Sequence, residues 1–281
     1  MSHWSFITAE NRHPRENEPP MSHDDPFAEN PILAELVEPA ESTRMDPWGL
    51  GATIMLSLAV IGVFVVLQTA VVIGFGAVQS LDMLHAGDYD WGRLSHNGLL
   101  LSVATWISAP LCLAMVILLV RLRRWPSVHD YLALNRVSAK CLLFWTTMLL
   151  VVLALLEATP RFLGFEMTSE FMVDIYRTAV FLPLLWATLI VAAPVFEEIF
   201  FRGFMFRGIQ PSRLGTLGAV LVTSFVWSMI HLQYNPYGIF VIFLYGVFLG
   251  VARARTNSTY LTIGLHSLIN LVATIETILR M

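Results

Sequence analysis

The chain has 281 residues, of which 56% are hydrophobic and only 14% are charged. Soluble domains carry about 25% charged residues, so this composition excludes an ordinary water-soluble globular protein. The formal net charge of −4 is also distributed unevenly along the chain.

Residues 1–47 form an acidic, proline-rich N-terminal tail. They hold ten of the 21 acidic residues and three of the 17 basic residues, so the net charge of the tail is −7 and that of the remainder is +3. A segment with this composition cannot bury enough apolar surface to offset the entropy lost on ordering, which predicts a disordered tail. Its first 20 residues lack the apolar core of a cleavable signal peptide.

From residue 48 to residue 281 the sequence is a succession of apolar segments. Their lengths are close to the roughly 20 residues that a helix needs to cross about 30 Å of hydrocarbon. Because a spanning segment must satisfy its own backbone hydrogen bonds, we predict an all-α, polytopic helical membrane protein with about seven transmembrane helices, six to eight being possible. The predicted spans are 50–78, 98–120, 141–160, 179–206, 215–234, 238–252 and 259–279. The sixth is short enough to be tilted or partly re-entrant.

The distribution of basic residues predicts the orientation. With the tail in the cytoplasm, 13 of the 17 basic residues lie inside, and only Arg93, Arg161, Arg177 and Arg280 lie outside. This is a strong positive-inside bias. We therefore expect a multi-pass protein, most simply of the plasma (inner) membrane, with a cytoplasmic N-terminus and with no nucleic acid partner.

Two carboxylates and a guanidinium lie within the fourth predicted span. Because ionisable groups are costly in a bilayer, their presence there is by default a functional hypothesis. On a helix, Glu198 and Arg202 are four residues apart and can pair, whereas Glu197 points elsewhere and is expected to be unpaired. Such a carboxyl group is suited to general acid–base chemistry. Two other interpretations stay open: a hydrated helix end, and a proton or ion relay.

The following spans contribute further polar groups. His231 and His266 are the only two of the eight histidines within predicted spans. Trp227 precedes His231 by one turn and shares its face, and His266 and Asn270 are likewise four residues apart. Packing and interhelical hydrogen bonding are the alternative explanations for these residues.

Taken in order, these motifs resemble the CPBP family of intramembrane glutamic endopeptidases, which are relatives of type II CAAX prenyl proteases and of bacteriocin-immunity proteins. The resemblance covers about residues 182–275. Two positions depart from the family pattern: Trp227 stands where phenylalanine is usual, and Asn257 stands where glycine is usual.

The resemblance implies a metal-independent peptidase without a cofactor, which acts on a membrane-associated protein or peptide in the lipid bilayer. The residues matching Glu197 and His231 would activate a water molecule, and those matching His266 and Asn270 would stabilise the oxyanion. Glu198 and Arg202 would form a supporting ion pair, and Trp227 would provide an aromatic wall.

Helix geometry raises one difficulty for this site. At 1.5 Å per residue, Glu197 lies about 16 Å from a helix end near Gly208, and His266 about 12 Å from Ser258, but His231 lies about 22 Å from Thr216. A shared site therefore requires the fifth helix to tilt, kink or begin later than predicted.

Three alternative functions remain open from the sequence. A zinc-dependent membrane protease could use one glutamate and two histidines as ligands, although the His-Glu-x-x-His motif is absent. A non-catalytic membrane immunity or scaffold protein would bind a partner in the bilayer. A transporter is disfavoured because paired broken helices and repeats are not evident.

Overall fold

A computed structural model describes residues 46–83, 94, 96–123, 127–163 and 170–281. Within these ranges the regular structure is helical and contains no strand. In chain order the helices are α1 (Leu50–Met83), α2 (Gly98–Leu122), α3 (Val128–Tyr131), α4 (Ala139–Leu163), α5 (Glu170–Thr178), α6 (Leu182–Ile209), α7 (Gly215–Met229), α8 (Pro236–Thr256) and α9 (Thr259–Arg280). The predicted tail, apart from its last two residues, and the loop containing Arg93 lie outside the described residues.

Six of the described helices are long and apolar enough to cross a membrane, namely α1, α2, α4, α6, α8 and α9. They correspond to six of the seven predicted spans. The prediction of an all-α, polytopic helical membrane protein is therefore confirmed, and the chain is an integral multi-pass membrane protein.

The fifth and sixth predicted spans have different lengths from those expected. Helix α7 has 15 residues and ends at Met229 instead of residue 234, whereas α8 has 21 residues and is not short. The reason is a strong helix-start signal: the Asn235 side chain accepts a hydrogen bond from Gly238 N at 2.8 Å, and Pro236 occupies the first turn of α8. Asparagine and proline are favoured at these two positions.

Two π-helical segments interrupt α6, at Thr188–Ala192 and Ile199–Met205. In the first, Ala193 N donates to Thr188 O, five residues earlier. The same pattern would require the next residue, Pro194, to donate to Leu189 O, but proline has no backbone N–H. Instead, the Leu189 carbonyl accepts a hydrogen bond from Asn270 Nδ2 of α9 at 2.7 Å. Short π segments frequently occur at functional sites.

Helices α7 and α8 pack closely through small residues. A Cβ atom at Gly246 would lie 2.9 Å from Ser224 Cβ and 3.1 Å from Trp227 Cε3, and one at Gly250 would lie 3.0 Å from Val220 Cγ1. Both glycines therefore permit a backbone approach that a larger residue would prevent. This contact holds Trp227 against α6 and brings the α7–α8 turn next to the carboxylates.

Candidate active site

The two glutamates lie on the α-helical turn Ala193–Glu198, between the two π segments of α6. Their environments differ. The Glu198 side chain is fully buried, whereas the Glu197 side chain is 15% exposed. Consecutive residues on a helix point about 100° apart, so one carboxylate can be held in the protein interior while the other is partly exposed.

The Glu198 carboxylate is held by the buried Arg202 guanidinium. Arg202 Nη1 donates to Glu198 Oε1 at 2.8 Å, and Arg202 Nη2 donates to the carbonyl of Gly246 at 3.1 Å. The expected pair between Glu198 and Arg202 is thus present in the structure, and it also joins α6 to α8. Removing one partner from such a buried pair leaves an uncompensated charge, which typically costs about 3–5 kcal/mol.

His266 links the two glutamates. Its Nδ1 atom lies 2.9 Å from Glu198 Oε1, and its Nε2 atom lies 3.9 Å from Glu197 Oε2. Because a carboxylate oxygen only accepts hydrogen bonds, the Glu198 contact places a proton on Nδ1. The Nε2 atom consequently faces Glu197 across a gap that is too long for a direct hydrogen bond.

Trp227 contacts four charged or titratable side chains of the site. Its indole N–H donates to Glu197 Oε2 at 2.5 Å, and its ring lies 4.7 Å from the Arg202 guanidinium carbon. The ring also stands edge-on to His231 and His266, with centroid distances of 5.3 and 5.0 Å. Glu197 has no ion pair with Arg202 among the described contacts, but its carboxylate is not free: the indole that was expected only to form a wall donates a hydrogen bond to it.

His231 lies beyond the end of α7, outside the six candidate spans. Its Nδ1 atom is 2.8 Å from the carbonyl oxygen of Trp227, so Nδ1 carries the proton and Nε2 is left as an acceptor. Burial lowers the pKa of His231, and the negative charge of Glu197 opposes this shift. Because α7 ends at Met229, His231 belongs to the turn before α8, and a depth counted along one continuous helix does not apply to it.

Asn270 does not hydrogen-bond to the other candidate residues among those described. One N–H of its amide binds the Leu189 carbonyl, which leaves one further N–H and the amide oxygen. The structure therefore brings Glu197, Glu198, Arg202, Trp227 and His266 into a contiguous cluster with His231 at its edge. It places Asn270 against the adjoining π segment.

Sequence reasoning did not identify Tyr234 as part of this region. Its ring centroid lies 6.3 Å from that of His231 and 5.9 Å from that of Phe171 in α5. Burial and the negative charge of Glu197 raise the pKa of Tyr234 to about 12. The Asn235–Pro236 helix-start signal could have revealed that Tyr234 and His231 share a turn instead of a helix.

The described residues contain no group of three or more histidine, cysteine, aspartate or glutamate side chains arranged to hold a metal ion. The carboxylates beside His266 accept hydrogen bonds instead, Glu198 from Arg202 and Glu197 from Trp227.

Comparison with known proteins identifies the segment that carries this site. Residues 179–272 match the family model of the Rce1-like type II CAAX prenyl endopeptidases. The resemblance to this family is confirmed. The matched segment includes α6, α7 and α8 and most of α9, so it contains every candidate site residue. Searches of curated proteins and of solved structures each gave no significant match. Similarity to this family points to a peptidase.

Proposed function

We propose that this protein is an intramembrane endopeptidase of the glutamic type, which uses no metal ion to hydrolyse a peptide bond of a membrane-associated substrate. The observation that carries the proposal is the position of Glu197 Oε2. This oxygen accepts a hydrogen bond from Trp227 and lies 3.9 Å from His266 Nε2. A water molecule beside these two atoms can approach each at about 2.8 Å, a normal hydrogen-bond distance.

In the first step, Glu197 takes a proton from this water molecule. At the same time, the water oxygen attacks the carbonyl carbon of the peptide bond. His231 supports the same step, because its Nε2 atom is a free acceptor. One water O–H bond breaks, one C–O bond forms, and the carbonyl oxygen gains the negative charge. General-base catalysis of this kind typically contributes about 10²–10⁴-fold to the rate.

The negative oxygen of the intermediate is stabilised by His266 and by the remaining amide N–H of Asn270. An N–H at Nε2 of His266, the ring atom that faces Glu197, would donate to this oxygen, while Nδ1 is held by the Glu198 carboxylate. One preorganised donor of this type is worth about 3–4 kcal/mol in other hydrolases. The proton held by Glu197 then passes to the leaving nitrogen as the C–N bond breaks, which yields an acid and an amine.

The surrounding residues keep the site in this arrangement. Arg202 neutralises the buried Glu198, and Trp227 shields the ion pair on one side. In such a water-poor environment, fixed hydrogen-bond donors stabilise the developing negative charge more strongly than they would in bulk water. The similarity of residues 179–272 to CAAX prenyl endopeptidases suggests a substrate with a prenylated C-terminal cysteine motif.

The proposal is tested with the full chain purified and reconstituted into liposomes. Wild type and Glu197→Gln would be compared on a fluorogenic CAAX peptide carrying a farnesyl group and on the same peptide without it. Glu170→Gln in α5 is the control, because it removes an exposed carboxylate outside the candidate site. We expect Glu197→Gln to lower kcat by about 10²–10⁴-fold and the control to retain activity.

A second arm uses no chosen peptide and compares new peptide termini in membranes that contain wild type or Glu197→Gln. Cleavage by wild type that persists unchanged in Glu197→Gln would refute the proposal. Absence of wild-type cleavage in both arms, with a cellular phenotype that survives Glu197→Gln, would also refute it and would favour an immunity or scaffold role.

A further inference from the structure

Arg253 is a buried arginine of α8 that lies outside the cluster of proposed catalytic residues. It is 1% exposed, and its guanidinium carbon lies 5.1 Å from the centre of the Phe206 ring. Its Nε atom donates to the backbone carbonyl of Arg202 at 2.9 Å, and its Nη1 atom donates to Asn257 Oδ1 at 2.9 Å. Arg253 therefore connects the end of α8 to the backbone of α6.

The carbonyl that Arg253 binds lies within the second π segment, which follows Glu198 directly. Arg202 is thus held at two points: Arg253 binds its backbone, and its own guanidinium binds Glu198. The same Glu198 oxygen contacts His266 Nδ1. A shift of the π segment would consequently move the ion pair and the imidazole that faces Glu197.

Asn257 fixes the other end of this connection. It caps α8 in the left-handed conformation, with φ 47°, which asparagine and glycine tolerate better than other residues. Glycine would meet the backbone requirement equally well but would offer no side-chain oxygen to Arg253. The Asn257 carbonyl in turn accepts a hydrogen bond from Asn135 Nδ2 at 2.7 Å. The arginine is thereby anchored to a loop that precedes α4.

We propose that Arg253, anchored by Asn257, is a positioning residue that holds the second π segment of α6 in the register required by Glu198 and His266. This inference deepens the proposed function and rests on it for the kinetic effect. Packing alone would not require a cation here, because burying a charged group in a membrane protein is costly. An apolar side chain of similar length could fill the same volume.

The test compares wild type with Arg253→Met, Asn257→Gly and the double variant in liposomes, using the peptide that wild type cleaves. Methionine keeps much of the length of the side chain but has no donor, and glycine preserves the left-handed cap. Arg255→Met is the matched control, because Arg255 is an exposed arginine two residues further along the same helix.

We expect Arg253→Met to lower kcat by about 10–100-fold with little change in KM, the pattern for lost alignment in the transition state. Asn257→Gly should lower kcat by about 3–10-fold. The double variant should resemble Arg253→Met, because residues that act through one connection are not additive. Arg255→Met should resemble wild type. Wild-type kcat in Arg253→Met, or fully additive effects in the double variant, would overturn the proposal.

Hydrogen–deuterium exchange of residues 199–207 provides a readout that does not depend on activity. Exchange there should be faster in Arg253→Met and Asn257→Gly than in wild type and Arg255→Met. If wild type cleaves no peptide but exchange changes as expected, the proposed function fails and the positioning of the π segment stands. If wild type cleaves and neither kcat nor exchange changes in Asn257→Gly, which keeps the helix cap, the positioning role fails and the function stands.

Discussion

The Nε2 atom of His266 lies 3.9 Å from Oε2 of Glu197, while Nδ1 of the same ring contacts Glu198. A single imidazole therefore stands between a fully buried carboxylate and a partly exposed one. This arrangement divides the two neighbouring glutamates into one that positions an imidazole and one whose carboxylate is partly exposed.

Glu198→Gln should destabilise the protein as well as inactivate it. The substitution leaves the Arg202 guanidinium buried without its counter-charge and weakens the hold on His266. We expect a loss of about 3–5 kcal/mol in the free energy of unfolding, measured by denaturant unfolding in detergent. Glu197→Gln should cause a much smaller loss, because Glu197 is not paired with Arg202. Equal stability losses in the two variants would contradict this division of roles.

Trp227→Phe separates the two functions of the tryptophan. Phenylalanine keeps an aromatic ring beside the histidines but cannot donate to Glu197. A hydrogen bond to a charged group contributes about 1.5–3 kcal/mol, so kcat should fall by roughly 10–100-fold. Trp227→Ala should also lower the free energy of unfolding by about 3–5 kcal/mol, because it creates a cavity. Wild-type kcat in Trp227→Phe would show that the indole N–H is dispensable.

Gly246→Ala should disturb the site through the packing contact between α7 and α8. The new Cβ would lie 3.1 Å from Trp227 Cε3 and 2.9 Å from Ser224 Cβ, so the α7–α8 contact must open. Overpacking of this kind costs about 1–3 kcal/mol. The measurement is thermal unfolding together with peptide cleavage, and we expect both to decrease. Gly264→Ala is the control, because a Cβ atom there would meet nothing within 4 Å beyond the local backbone of its own helix.

Asn270→Ala should lower the free energy of unfolding by about 1–3 kcal/mol, because the partly buried Leu189 carbonyl loses its donor. An oxyanion role alone would affect cleavage and leave stability unchanged.

Pro194→Ala supplies a backbone N–H that can donate to the Leu189 carbonyl in the π pattern. In the double variant we therefore expect stability, measured by denaturant unfolding, to recover while cleavage does not. A double variant that recovers neither stability nor cleavage would contradict the proposed link between Pro194 and the Leu189 carbonyl.

The pH dependence of kcat/KM should reflect His231. Burial lowers the pKa of this imidazole, with partial opposition from Glu197, so the group stays neutral to a lower pH than usual. A neutral imidazole is the form that accepts a proton from water, so activity supported by His231 is lost as the pH falls through this lowered pKa. We expect a pH–rate profile to show an acid limb below the ordinary histidine value of about 6.5, and His231→Gln to abolish that limb. An acid limb that is unchanged in His231→Gln would assign it to another group.

The spans and the main site motifs could be predicted from sequence because they depend on local properties. A run of about 20 apolar residues identifies a spanning helix without reference to its neighbours. The four-residue interval between Glu198 and Arg202 likewise predicts their pairing on one helix face. The end of α7 was predicted less well, because Leu232 extends the apolar run through a turn that Asn235 and Pro236 define.

Composition and helix periodicity alone determined that this is an all-α membrane protein and, apart from His231, which of the candidate polar residues lie inside its apolar segments, since both depend on hydropathy and on spacing within one segment. Only the tertiary structure decided which of these residues meet. The Trp227 bond to Glu197, the His266 contact with Glu198 and the Asn270 contact with Leu189 join different helices. Such contacts depend on how the helices are packed, on π segments that rotate side chains around α6, and on where α7 ends. None of these can be derived from the residue spacing within a single segment.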